Sequence, residues 1–490
     1  MVADTTTSGM TQILSSGPAG TKINIAVMGD GFAAGEDQIL YNSKVDDLLI
    51  EGLFKNDFFM EQMSAFNVYR INLISQDSGV GTKKYDNGNL ISTVTRNTAL
   101  GIYYSGSWSH CWLEDGPNTG TLINNALNQW VPDYTIIVIL LNNQGFGGCG
   151  GGGRLTIPLG VTWDTVAHEF GHGLGGLGDE YCQIDTVYAG SEPFYANLTI
   201  NTEKASLKWA DFIAASTPIP SGTATGTGNC TDYNQGTKPD DWSNNQSVGL
   251  FEGGGTVTRG IYRPVIDCRM RSNLPPYCPV CYAQMESITR NHMGTNSAQN
   301  ASEQRKTSDV QQEKAQKPED NSTASDSSEG YVRLKIHMEK GKLSVTDVKE
   351  VSGPLISRQT VNPGYNYEVL TGNQLITLGF LPDVGVRRSF ANRDVTGREG
   401  KHHITILPSF DFFVRVPRNQ ISERKLPQMT IAVHEVKQIP DRLLERVPLS
   451  DQSGVTSNEI GRLVGIRLDE VPKTVSTQLE RIMKENAEPK

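Results

Sequence analysis

Long apolar runs are missing from this 490-residue chain. No stretch of about 18 apolar residues occurs, so no transmembrane helix is expected. A basic excess is also missing: 44 Lys and Arg stand against 54 Asp and Glu, a net charge of -10. Phosphate binding needs clustered positive charge, so nucleic acid is excluded as the expected partner. The first residues, Met1-Val-Ala-Asp-Thr-Thr-Thr-Ser-Gly9, carry no basic segment followed by an apolar one, and no signal peptide is read there. Cysteine is absent after Cys281. Residues 294–330 contain no aromatic, Leu or Ile. A segment of that composition cannot bury enough apolar surface to offset its ordering entropy, so it reads as a linker.

What is present divides around that linker. Residues 1–20 are small and polar and read as a flexible N-terminus. Residues 21–293 read as one domain, with buried strands at Lys22–Asp30, Phe66–Ile74 and Tyr134–Leu141 and a helical pattern over 37–55. Tyr134–Leu141 is apolar on both faces and is expected at the centre of a sheet. Arg154–Leu159 reads as an edge strand, because Pro158 has no N–H to donate. Beyond residue 330, short segments alternate with period two, at 331–338, 342–350, 374–380, 402–407, 411–416 and 429–436. That pattern predicts a C-terminal all-β sandwich over 331–490, ending in a helix near 473–487. The expected fold class is a zincin-like α+β domain, a twisted mixed sheet with an active-site helix, followed by the sandwich.

The chemistry concentrates in His168-Glu-Phe-Gly-His172-Gly-Leu-Gly-Gly-Leu-Gly-Asp179-Glu180-Tyr181. Imidazoles at i and i+4 share one helix face, and Glu169 follows the first. This is the zinc-peptidase pattern of two nitrogen ligands and a general base. Gly173, Gly175, Gly176 and Gly178 each disfavour a helix by about 1 kcal/mol relative to Ala. The helix should therefore stop just past His172 and let the chain turn back. None of the other histidines lies shortly downstream, so the third ligand is expected to be acidic: Asp179, with Glu180 as runner-up. A Zn²⁺ so held lowers the pKa of water to about 7, and Glu169 takes the proton.

Five of the seven cysteines, Cys182, Cys230, Cys268, Cys278 and Cys281, fall within one loop-rich stretch. Their clustering predicts disulfides in an oxidising compartment, with Cys268 paired to Cys278 or Cys281. The alternatives are scattered reduced thiols in a cytosolic enzyme, and a small structural zinc site built on Cys278-Pro-Val-Cys281 with two further thiols. Met270 sits between these cysteines and is expected to form an apolar floor under the metal. Glu252, among glycines, reads as a contact for a substrate terminus or a structural Ca²⁺. Tyr262 reads as a donor to the oxyanion. A surface acid and a core tyrosine are the plainer alternatives.

Together these motifs resemble the IgA peptidase family of zinc metalloproteases, a metzincin-like group. The resemblance rests on Gly29-Asp-Gly-Phe32, the glycine run 145–153, His168–His172 through Tyr181, Leu250-Phe-Glu-Gly-Gly-Gly255, Gly260-Ile-Tyr-Arg-Pro264, and Cys268-Arg-Met-Arg with Cys278-Pro-Val-Cys281. It implies a secreted or envelope-associated endopeptidase with one catalytic zinc on His168, His172 and Asp179. It also implies Glu169 as base, Met270 as the Met-turn residue, and a protein or peptide as substrate. A monomer is expected. The competing expectation is an adhesion or substrate-binding protein that keeps the zincin scaffold and binds through the sandwich.

Overall fold

The computed structural model describes residues 6–87, 89–105, 113–145, 147–221, 247–293, 330–351, 361–382, 384–390, 403–439 and 447–487. The linker read over 294–330 therefore lies, but for Gly330, outside the described residues, as does Cys230.

The fold is mixed α+β. Its principal sheet has eight strands: β1 (Gly9–Leu14), β2 (Ile23–Asp30), β3 (Phe66–Asn72), β8 (Ile136–Leu141), β9 (Gly148–Gly151), β10 (Arg154–Pro158), β18 (Val386–Phe390) and β19 (His403–Ile406), in the order β1-β3-β2-β8-β10-β9-β18-β19. A four-stranded sheet joins β4 (Gly81–Asp86), β5 (Asn89–Val94), β6 (Ile102–Tyr104) and β7 (Leu113–Asp115). A small sheet joins β11 (Cys182–Val187), β12 (Phe251–Gly254) and β13 (Thr256–Arg263).

The central strand explains the layering. Ile136, Val138 and Leu140 of β8 enter one apolar core. Ile137, Ile139 and Leu141 enter the core on the opposite face. Side chains alternate across a pleated strand, so a continuous apolar run needs cover on both sides. The first core is covered by α1 (Glu36–Val45), α2 (Asp57–Glu61), α4 (Trp163–Gly173) and α6 (Pro279–Met293), and the second by α3 (Thr119–Trp130).

Strand β10 is not at an edge as expected. It lies between β8 and β9. The reason is local: β9 pairs only with Arg154, Leu155 and Thr156, so Pro158 lies past the end of that ladder and its missing N–H has no bond to break. The glycine run supplies β9 itself, Gly148–Gly151.

The C-terminal strands also differ from the sandwich. Seven of them, β14 (Tyr331–Glu339), β15 (Lys342–Val351), β16 (Gly364–Thr371), β17 (Gln374–Leu381), β20 (Ser409–Pro417), β21 (Met429–Gln438) and β22 (Thr456–Val464), form one sheet in the order β17-β16-β21-β22-β15-β14-β20. It curls around its own core until β17 and β20 approach each other. Helix α7 (Lys473–Ala487) closes that core with Val475, Leu479, Ile482 and Met483. Alternation tells which face of a strand is buried, not whether the buried faces belong to two sheets or to one that curls. Strands β18 and β19 leave this sheet altogether and extend the principal one.

Candidate metal centre

Helix α4 begins after Thr162, which is extended, and carries Asp164 in its first turn, where a negative charge suits the helix dipole. It ends at Gly173. Gly176 then adopts φ +59°, which only glycine takes freely, and its N–H donates to the His172 carbonyl while Leu177 N–H donates to that of Gly171. The sharp turn returns the chain to the helix face that carries the imidazoles.

There, His168 Nε2 and His172 Nε2 lie 3.1 Å apart. Asp179 Oδ1 is 3.2 Å from the first and 3.0 Å from the second. Each ring donates from its other nitrogen to a backbone carbonyl, His168 Nδ1–H to Arg269 and His172 Nδ1–H to Leu177, both at 2.7 Å. A carbonyl can only accept, so the neutral rings carry their protons on Nδ1, and both Nε2 lone pairs point at Asp179. Three acceptors facing one another repel unless a cation lies among them. Ligands of a tetrahedral zinc sit about 3.3 Å apart, close to these separations. The donor set therefore fits zinc.

Burial is nearly complete: His168, His172 and Asp179 are at most 2 % exposed, and Glu169 is 5 % exposed. Burial resists the charge on Asp179, but His172 and the Arg388 guanidinium hold its carboxyl well below the usual range. Burial and Arg388 oppose protonation of His172, and Asp179 outweighs them to raise it. Glu169 is raised, chiefly by burial, with the two imidazoles pulling the other way. Its carboxylate lies against β9: a Cβ on Gly150 would stand 2.7 Å from Glu169 Oε2. Glycine at 150 lets the backbone and the Glu169 carboxylate approach this closely.

Met270 is fully buried beneath α4, in the short helix α5 (Arg269–Ser272). Tyr277 donates its hydroxyl to the Ala167 carbonyl. Arg269 orients His168 through its carbonyl while its side chain bonds Asp57 Oδ2 at 2.5 Å and lies over the rings of Trp163 and Tyr277.

Glu180 turns away from the imidazoles. Its Oε1 accepts from Asn197 Nδ2 at 2.8 Å and stands 3.2 Å from Cys281 Sγ. Cys268, Cys278 and Cys281 are free thiols, not the bridges expected. The sulfurs of Cys268 and Cys281 are 3.8 Å apart, against about 2.05 Å in a disulfide. Cys149 and Cys182 each take part in a disulfide, as expected for Cys182. Glu252 and Tyr262 are cross-strand partners in the small sheet, where Glu252 Oε1 accepts the Gly260 N–H at 3.0 Å.

Arg388 was not legible from the sequence. It arrives from β18, and its Nη1 donates to Asp179 Oδ2 at 2.6 Å while Nη2 donates to the Tyr195 hydroxyl at 3.3 Å. No local motif links positions 209 residues apart. Asn197, which bonds Gly178 N–H, Gly178 O and Glu180, was equally hidden. A cavity of about 250 Å³ lies elsewhere, between Tyr134, His292, Phe380 and Phe412.

No described helix is long and apolar enough to cross a membrane. Residues 11–235 match the family model described as IgA Peptidase M64. No curated protein matches the chain. The matched segment contains His168, Glu169, His172 and Asp179, and over it the chain is similar to the IgA peptidase M64 family.

Proposed function

We propose that this protein is a zinc-dependent endopeptidase in which His168, His172 and Asp179 hold the metal and Glu169 is the general base. A zinc ion there supplies positive charge to polarise the scissile carbonyl and to acidify water. The protein's own residues do the rest. Arg269 and Leu177 carbonyls fix the imidazole tautomers, so both Nε2 atoms stay available. Glu169, its proton affinity raised by burial, takes the proton of the attacking water at its carboxylate and returns it to the leaving amine. Buried Met270 and Phe170 hold the helix from below and exclude bulk water.

The observation that carries this reading is the convergence of both imidazole Nε2 atoms and Asp179 Oδ1 within 3.2 Å, with a carboxylate one residue along the same helix. The disulfide-bonded Cys149 and Cys182 support an oxidising, secreted or envelope setting. Residues 331–490, with their own core, serve as the accessory domain. The test is metal content by plasma mass spectrometry together with casein hydrolysis, with and without chelator. Wild type should bind zinc and cleave; Glu169→Gln should bind zinc and not cleave. A protein that binds no metal, or whose cleavage survives Glu169→Gln, overturns the reading.

A further inference from the structure

Behind the catalytic centre, three thiols and a carboxylate meet in the protein interior. Cys268 precedes α5, Cys278 precedes α6, and Cys281 lies in the first turn of α6. All three and Glu180 are fully buried. One ligand atom from each lies within 4.8 Å of every other. Cys278 N–H donates to Cys268 Sγ at 3.2 Å. Two thiolates on a tetrahedral zinc, with Zn–S about 2.3 Å, stand about 3.8 Å apart, and Cys268 and Cys281 show 3.8 Å. Glu180 Oε2 has no hydrogen-bond partner among the described residues. A buried carboxylate oxygen left unpaired is costly, so it points to a missing ligand. Three thiols also remain reduced in a chain whose Cys149 and Cys182 are oxidised.

We propose that Cys268, Cys278, Cys281 and Glu180 hold a second metal ion, zinc by ligand type. Four protein ligands and full burial leave no position for water, so the ion is structural. Buried Arg263 offsets part of the ligands' negative charge. The ion ties α5 and α6 to the residue that follows Asp179, where Glu180 N–H donates to the Met270 carbonyl at 2.8 Å. It would hold the Met270 turn and the third catalytic ligand in one rigid unit.

The test uses the full chain in reducing buffer. Wild type should carry two zinc ions per chain and Asp179→Ala one. X-ray absorption at the zinc edge of Asp179→Ala should then show a sulfur-dominated shell at about 2.3 Å. The double variant Cys278→Ser/Cys281→Ser should lose this signal; if it does not fold, the Asp179→Ala spectrum decides alone. A metal-free Asp179→Ala, a shell of nitrogen and oxygen only, or a Cys268 disulfide to Cys278 or Cys281 found by mass mapping overturns the proposal. Loss of the catalytic ion alone leaves the sulfur shell intact, so the two metal readings fail separately.

The mouth of the catalytic site is closed by the chain itself. Strand β18 lies antiparallel on β9, with Arg388 opposite Gly150. A Cβ on Gly151 would collide with the Val386 carbonyl, so the glycine strand is shaped to receive it. Arg388 is 3 % exposed and bonded to Asp179. The space touching Gly150, Glu169 and His172 is about 10 Å³, room for about one water and not for a peptide. An extended substrate adds to a sheet through backbone hydrogen bonds along a free edge, and β18 occupies that edge. Building on the peptidase reading, we infer that β18 fills the substrate groove and that this conformation is latent.

Arg388→Ala should raise the initial rate of casein hydrolysis at least about tenfold, and should speed removal of the catalytic zinc by a chelator. Unchanged rates of both, or a fall in bound zinc at equilibrium, would overturn latency; the latter would make Arg388 a positioning residue for Asp179. If no variant cleaves casein, the chelation rate still reads the closure, while the peptidase reading falls.

Discussion

Gly171, inside the His168–His172 motif, offers a substitution on which local and tertiary physics disagree. Replacing a helical glycine by alanine favours the helix by up to about 1 kcal/mol. Here the new Cβ would land on Met270 Sδ, and lie 3.1 Å from Met270 Cε and 3.3 Å from Tyr277 Cε1. Both residues are buried, and Tyr277 is tied to Ala167, so neither yields freely. Overpacking a tight core costs about 1–3 kcal/mol. The net expectation for Gly171→Ala is a loss of up to about 2 kcal/mol, once the full helix gain is subtracted from the overpacking cost. At about 2–4 °C per kcal/mol for a domain of this size, the melting temperature should fall by several degrees. Because Met270 and His168 share the α5 segment through the Arg269 carbonyl, zinc affinity should fall too. Calorimetry and a competitive zinc titration measure the two effects. Gly171→Ala/Met270→Ala should lose less than the sum of the single variants, with a coupling of about 0.5–3 kcal/mol. If Gly171→Ala melts higher and binds zinc as wild type does, the Met270 floor plays no part in the site.

Glu169→Gln should keep the metal and lower peptide hydrolysis by about 10²–10⁴-fold, the usual contribution of a general base; steady-state kinetics with metal analysis checks it. Asp179→Ala should release the imidazole-bound ion, while Glu180→Ala should retain it, because only Asp179 faces the two Nε2 atoms; the reverse result in dialysed samples would exchange their roles. Asp411 tests the C-terminal sheet. Partial burial opposes its ionisation, but hydrogen bonds from Lys335 and His337 win and lower its pKa. A lowered carboxylate stabilises the fold above the unfolded value of about 3.9, and that contribution is lost as pH falls through the folded pKa. The group is part exposed, so after solvent screening Asp411→Asn should cost under about 1 kcal/mol at neutral pH and nothing at strongly acid pH. Urea titrations at the two pH values decide this, and an equal cost at both would remove the ion-pair explanation.

The parts of this protein legible in sequence are those whose geometry is set within one element. Two histidines four apart share a helix face whatever surrounds them, and glycines after His172 must end that helix. The doubly apolar β8 had to be central, because either face exposed would cost hydrophobic stabilisation. The alternating C-terminal strands identified their buried faces.

Tertiary structure decided whatever depends on which distant segments meet. It put β9 beside β10, so Pro158 no longer marked an edge. It curled one sheet where two were expected. It turned Asp179 to the imidazoles and Glu180 to the thiols, a choice between adjacent carboxylates that rests on Asn197 and Arg388. It also left Cys268, Cys278 and Cys281 unbridged around a shared centre. The physical reason is common to all of these: motif spacing constrains a few neighbouring dihedrals, whereas contacts between remote segments follow from how the whole chain buries its apolar surface and pairs its charges.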